Sequence, residues 1–134
     1  MEKIFLESIE RVYNNHGQEA ERVFRFTILG ELCKADNKPH SAGGDCGDIQ
    51  VKSARATVCK GVNIQEYLQE DGAQRYAYVV KDFSIAYIMT RALYIDFVNA
   101  FGTITRESEK NGGGTKIRLK SESKALLQWL EERA

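Results

Sequence analysis

Asp48, Gln50 and Lys52 stand at every second position of the run Asp48-Ile49-Gln50-Val51-Lys52-Ser53. Polar and apolar residues that alternate strictly have the period of a β-strand buried on one face, and side chains two apart share a face. An acid, an amide and an ammonium group would therefore project together while Ile49 and Val51 enter a core. Hard divalent cations take oxygen ligands in roughly octahedral array, and Asp45, Asp48 and Gln50 could offer three. A cation held there would acidify an attacking water and stabilise charge on a phosphoryl oxygen, while Lys52 positions that water or neutralises the same charge. The chemistry these groups would suit is attack of a water on a phosphoryl centre assisted by a hard cation such as Mg2+ or Mn2+. A merely solvated strand can carry the same polar row. The row gains weight from its place directly after the glycine-rich bend Ser41-Ala42-Gly43-Gly44-Asp45-Cys46-Gly47.

The elements that must position this row read as an alternation of helices and strands. Ile4, Phe5, Ile9, Val12 and Tyr13 recur at helical spacing up to Asn14-Asn15-His16-Gly17, which predicts a first helix. A second helix is expected from near Gln18, with Ala20, Val23, Phe24, Thr27 and Ile28 on one side and Gly30 as its C-terminal cap. A short strand over Glu31–Ala35 and an irregular stretch over Asp36–Gly47 lead to the strand that carries the row. Ala56–Cys59 reads as a further strand. Asn63 and Glu66 form a capping box for a short helix ending near Glu70, and Arg75–Val80, apolar on both faces, reads as a central strand. A longer helix is expected from Asp82 or Ser84 to Gly102, with Ile85, Ile88, Met89, Ala92, Leu93 and Phe97 as its apolar stripe. Thr103–Arg106 and Thr115–Lys120 flank Lys110-Asn111-Gly112-Gly113-Gly114 as a β-hairpin, and Ala125, Leu126, Trp129 and Leu130 mark a closing amphipathic helix.

The bend and strand together resemble the active-site strands of the PD-(D/E)xK nuclease superfamily, in particular its Mrr-like restriction endonuclease branch, where glutamine replaces the acid of the ExK motif. The residues that carry the resemblance are Gly44-Asp45-Cys46-Gly47-Asp48 and Gln50-Val51-Lys52-Ser53. The helix around Gly17-Gln18-Glu19-Ala20-Glu21 is similar to the family's opening helix, in which a glycine is followed a turn later by a glutamate that can join the metal site. The resemblance implies Glu21 as a metal ligand, Asp48 or Asp45 as the central aspartate, Gln50 in the second-acid position and Lys52 as the catalytic lysine. Asp36, fourteen residues before Gln50, is the third choice for that aspartate. It also implies a restriction-endonuclease-like αβββαβ core, here extended by the hairpin and helix at the C-terminus, and DNA as the substrate.

The 134 residues suit a single α/β domain, 1–134, with one sizeable core. Glu2, Glu7 and Glu10 interrupt the N-terminal segment, and no apolar run approaches a membrane span, so the expected location is the cytoplasm. With 19 basic against 19 acidic residues, attraction to nucleic acid must be local. The basic-leaning segment is Ile104–Lys120, where Lys110, Lys116, Arg118 and Lys120 could form a wing against phosphates. Such a wing on a domain without catalysis is the alternative reading, and a protein-interaction domain with a degenerate nuclease fold is the third. Cutting both strands of a duplex would call for two active sites and hence a homodimer. Cys33, Cys46 and Cys59 make no CxxC pair and read as reduced structural thiols; a zinc site with His16 or His40 would lack a local chelate.

Overall fold

Apolar alternation and turn chemistry sort the chain into elements that wrap both faces of one sheet. The structure, a computed structural model, describes residues 1–30, 46–69 and 73–134. In chain order these hold β1 (Glu2–Phe5), α1 (His16–Leu29), β2 (Ile49–Ser53), β3 (Thr57–Lys60), α2 (Ile64–Gln69), β4 (Arg75–Val79) and β5 (Ile85–Thr90). There follow α3 (Arg91–Phe101), β6 (Gly102–Arg106), a 3-10 turn at Glu109–Asn111, β7 (Thr115–Leu119) and α4 (Lys124–Arg133). The protein is a mixed α/β domain. The expected strand at Glu31–Ala35, together with Asp36, Cys33, His40 and Asp45, lies outside the described residues.

The larger sheet has the order β1-β5-β4-β2, and a smaller one the order β3-β7-β6. Pairing is antiparallel throughout except between β2 and β4, which run parallel. A parallel pair needs a crossover, here supplied by β3 and α2. On one face of the larger sheet, Ile49, Val51, Ala77, Val79, Ala86 and Ile88 pack against Ala20 and Phe24 of α1. On the other, Tyr76, Tyr78, Tyr87 and Met89 meet side chains from α2, α3, β3, β7 and α4. Tyr76, Ala77, Tyr78 and Val79 are all 0% exposed, as a strand apolar on both faces requires.

One expected helix is replaced and another is shortened. Ile4 and Phe5 belong to β1, which adds to the free side of β5, and Ile4 packs against the α1 core. The backbone after β1 is held by other means: Leu6 N–H donates to the Ser84 carbonyl and Glu7 N–H to Thr27 Oγ1, both at 2.9 Å. Ile85–Thr90 is likewise a strand, lying between β1 and β4, and only Ala92, Leu93 and Phe97 of the expected stripe fall on the helix that follows. A short apolar run rich in β-branched and aromatic residues fits either period, and burial on both faces decides for the strand. Asp82 takes the Ser84 N–H at 3.1 Å within the β4–β5 turn, and the helix cap is Thr90, whose hydroxyl accepts from Leu93 N–H at 3.3 Å.

The other expected helices and strands that fall on described residues are present with small shifts. Asn15 caps α1 through Gln18 N–H, and Gly30 ends it at φ 68°. Asn63 Oδ1 accepts from Glu66 N–H at 3.1 Å, the first half of the capping box. Ile117 and Leu119 face inward, 7% and 2% exposed. No described helix is long and apolar enough to cross a membrane.

Gly102 joins α3 directly to β6, and a Cβ there would lie 2.5 Å from the Val98 carbonyl oxygen and 2.7 Å from Ile117 Cγ2. Backbone cannot yield as a side-chain tip can. Gly102→Ala is expected to destabilise the fold by about 1–3 kcal/mol, the usual range for overpacking, read as a lower urea midpoint at unchanged m-value.

Candidate functional site

Local chemistry at the start of β2 sets the polar row. Gly47, at φ 62°, and Asp48 form a tight reversal in which Cys46 and Ile49 exchange N–H···O bonds of 3.0 Å. A left-handed residue suits glycine, which explains Gly47 in the bend. The Asp48 carbonyl then accepts from Gln74 N–H at 2.9 Å and Arg75 N–H at 3.2 Å, which starts the parallel ladder. Register places Gln50 beside Tyr76 and Lys52 beside Tyr78, whereas Ile49, Val51 and Ser53 lie beside Arg75, Ala77 and Val79. Ile49, Val51 and Ser53 are accordingly buried, and Gln50 and Lys52 are half-buried on the face away from α1.

Asp48 is exposed and held by a residue that the sequence did not single out. Arg75 donates from Nε to Oδ2 at 3.3 Å and from Nη2 to Oδ1 at 3.2 Å. This hydrogen bonding, with the charge of the guanidinium, keeps the Asp48 carboxyl below the usual carboxylate range, and the same pairing raises the Arg75 value. Lys52 Nζ donates to the Thr57 carbonyl at 3.5 Å, so its amine sits where β2 turns into β3.

The acid on α1 divides between two residues. Glu21 is half-buried on the helix that covers the Ile49 and Val51 face, so it can reach Gln50 and Lys52 only around the outer side of β2. Glu19, in the helix's first turn, is the buried acid, 1% exposed. It accepts from Val12 N–H and Tyr13 N–H at 3.2 to 3.4 Å and pairs with Arg22 at 3.2 Å. Arg22 also donates to the Glu10 carbonyl at 3.0 Å, so the pair ties the segment after β1 to α1. The spacing of Glu19 and Arg22, three apart in a helix, was the available signal for that pairing.

Asp48 and Gln50 supply the oxygen donors that a hard cation prefers, and in chemistry that set fits magnesium or manganese. Among the described residues no group of three or more His, Cys, Asp or Glu side chains converges on one point. Asp45 and Asp36, the other acids in question, lie outside the described residues. Cys46 and Cys59 are buried free thiols, and burial pushes the Cys59 thiol up.

The basic hairpin residues have separate surroundings. Lys110 is exposed at the tip, and Lys120 is exposed beyond β7. Lys116 is ion-paired with Glu107. Arg118 donates from Nε and Nη2 to the Arg55 carbonyl at 3.2 and 3.0 Å. Because β7 is the middle strand of its sheet, the hairpin is built into the body of the fold and is not a projecting wing. No family model, curated protein or solved structure matches the chain.

The Asp48 and Arg75 side chains are 48% and 45% exposed, so their pairing is screened and contributes less than about 1 kcal/mol. With its carboxyl value lowered on folding, Asp48 adds stability above its unfolded value and loses it as pH falls through the folded one. Carbon-detected NMR titration should find the Asp48 carboxyl below the ordinary aspartate value, and Arg75→Ala should raise it, with little change in melting temperature.

Proposed function

We propose that the chain is a metal-dependent phosphodiesterase acting on DNA, with Asp48, Gln50 and Lys52 as its reactive row. The observation that carries this reading is that Gln50 and Lys52 share one face of β2, an edge strand of the larger sheet among the described residues, with Asp48 in the tight reversal that leads into it. Two further features support it. The described elements α1, β2, β3, α2 and β4 follow one another in the helix, strand, strand, helix, strand succession contained in the αβββαβ order that the resemblance implies, with β3 paired in the smaller sheet. Parallel pairing of β2 with β4 through a crossover makes the strand that bears Gln50 and Lys52 a fixed member of that sheet.

In this reading Asp48 and Gln50 would hold Mg2+ or Mn2+, with Asp45 and Glu21 as the additional oxygen donors. The bound cation would supply Lewis-acid polarisation of the phosphoryl group and lower the pKa of an attacking water. Asp48 is already ionised, because Arg75 favours its charged form. The same guanidinium competes with a cation for the carboxylate, so loading the site requires Arg75 to share or release Asp48. Lys52 brings a cationic amine on a half-buried stem, suited to orienting the water or to neutralising charge that grows on a phosphoryl oxygen.

Purified protein should nick or cut plasmid DNA with Mg2+ or Mn2+ and lose the activity in EDTA. Lys52→Ala should lower the rate by about a hundredfold or more, the usual scale for removing one group that stabilises developing charge, with an unchanged circular dichroism spectrum. Cutting that survives in Lys52→Ala would contradict the assignment.

A further inference from the structure

The outer face of the β3-β7-β6 sheet differs in charge from the neutral molecule around it. Register sets Lys60 beside Lys116 and Thr57 beside Arg118 on one side of β7, and Thr103 and Thr105 beside Arg118 and Lys116 on the other. Ile117 and Leu119 occupy the inward positions, so Lys60, Lys116, Arg118, Thr57 and Thr103 share the outward face, with Lys120 next in the same alternation, while the Thr105 hydroxyl is covered. Glu107 offsets only Lys116. Lys60, Arg118 and Lys120 are exposed cations in a chain whose formal net charge is +0.

Position joins this face to the reactive row. The amine of Lys52 rests on the carbonyl of Thr57, the first residue of β3, and Arg118 holds the carbonyl of Arg55 in the turn from β2 to β3. Alternate residues of a strand repeat at about 6.7 Å, which spaces the β7 cations along a line. None of these outward residues is aromatic, so the face has cations and hydroxyls for a sugar-phosphate backbone and no ring on which to stack a base.

We propose that the outward face of β3-β7-β6 is a track for the DNA phosphate backbone, in which Lys60, Arg118 and Lys120 neutralise phosphates and lead the strand to Lys52. The inference rests on the phosphodiesterase reading for its destination. Contact through phosphates alone makes binding independent of sequence and strongly dependent on salt. Lys116 contributes least, since Glu107 already neutralises it.

The test is fluorescence anisotropy with labelled duplex DNA of two unrelated sequences, in EDTA and over a range of salt, using Lys60→Gln and Lys120→Gln. Lys3→Gln removes the same charge at β1, the opposite end of the larger sheet, and Arg118 is left intact because it supports Arg55. The expected result is equal affinity for both sequences and a fall of about 0.9 in the slope of log K against log salt for each of the two track variants, with none for Lys3→Gln. No binding by the unmodified protein, or equal losses in all three variants, would overturn the proposal. Plasmid cutting separates it from the reading on which it rests. Loss of cutting in Lys52→Ala with salt slopes indifferent to Lys60 and Lys120 would sink the track alone. Binding through the track without metal-dependent cutting would sink the enzyme alone.

Discussion

The parallel pairing of β2 with β4 is the constraint on which the rest depends. It begins at the Asp48 carbonyl, which takes both the Gln74 and Arg75 amides, and it runs on to Ser53 beside Val79. A strand slipped by one residue turns every side chain to the other face. Such a slip here would bring Gln50 and Lys52 under α1 and expel Ile49 and Val51, leaving an amide and an ammonium group against Ala20 and Phe24. Burying an unpaired charge costs far more than a methyl group gains, so the apolar residues of β2 enforce the direction of its polar ones.

The opposite face depends on a different kind of polar contact. Tyr76, Tyr78, Tyr87 and Tyr94 fill much of the larger core, and a buried phenol needs a hydrogen-bond acceptor to replace water. Tyr78 donates to Glu122 Oε2 at 2.9 Å, and Tyr87 donates to Glu131. Burial, reinforced by these carboxylates, pushes both phenols well above their ordinary value, so they stay neutral donors. Glu122 also accepts from Lys81 N–H at 2.9 Å and Glu131 pairs with Lys3 at 2.7 Å, which fastens α4 and its approach to β1 and the β4–β5 turn. The C-terminal helix thereby closes the layer that covers this face of β4 and β5.

Much of this was legible where one local rule acted alone. The alternation of Ile49 and Val51 with Gln50 and Lys52, the two-faced apolarity of Tyr76–Val79, the Asn63 cap and the inward Ile117 and Leu119 all follow from spacing. Reading failed where tertiary partners chose between periods. Ile4 and Phe5 fit a helix until β5 offers an edge, and Ile85–Met89 fit one until both sides of them are covered. Long-range polar partners were hidden for the same reason: Asp48 and Arg75 are 27 residues apart, and only the β2/β4 register brings them together. Local spacing could reveal Glu19 and Arg22, yet the resemblance drew attention to Glu21, whose neighbour carries the burial.

The site and the basic face meet at one corner of the molecule, where β2 turns into β3 between Lys52 and Thr57. Mn2+ titration followed by amide NMR tests the central claim most directly, because paramagnetic broadening reports where an ion sits. The account predicts selective loss of the Asp48 to Lys52 amide signals and of the Gln50 side-chain amide at low Mn2+, reversed by EDTA. Broadening centred on Glu122 and Glu131, or none that is selective for β2, would contradict it.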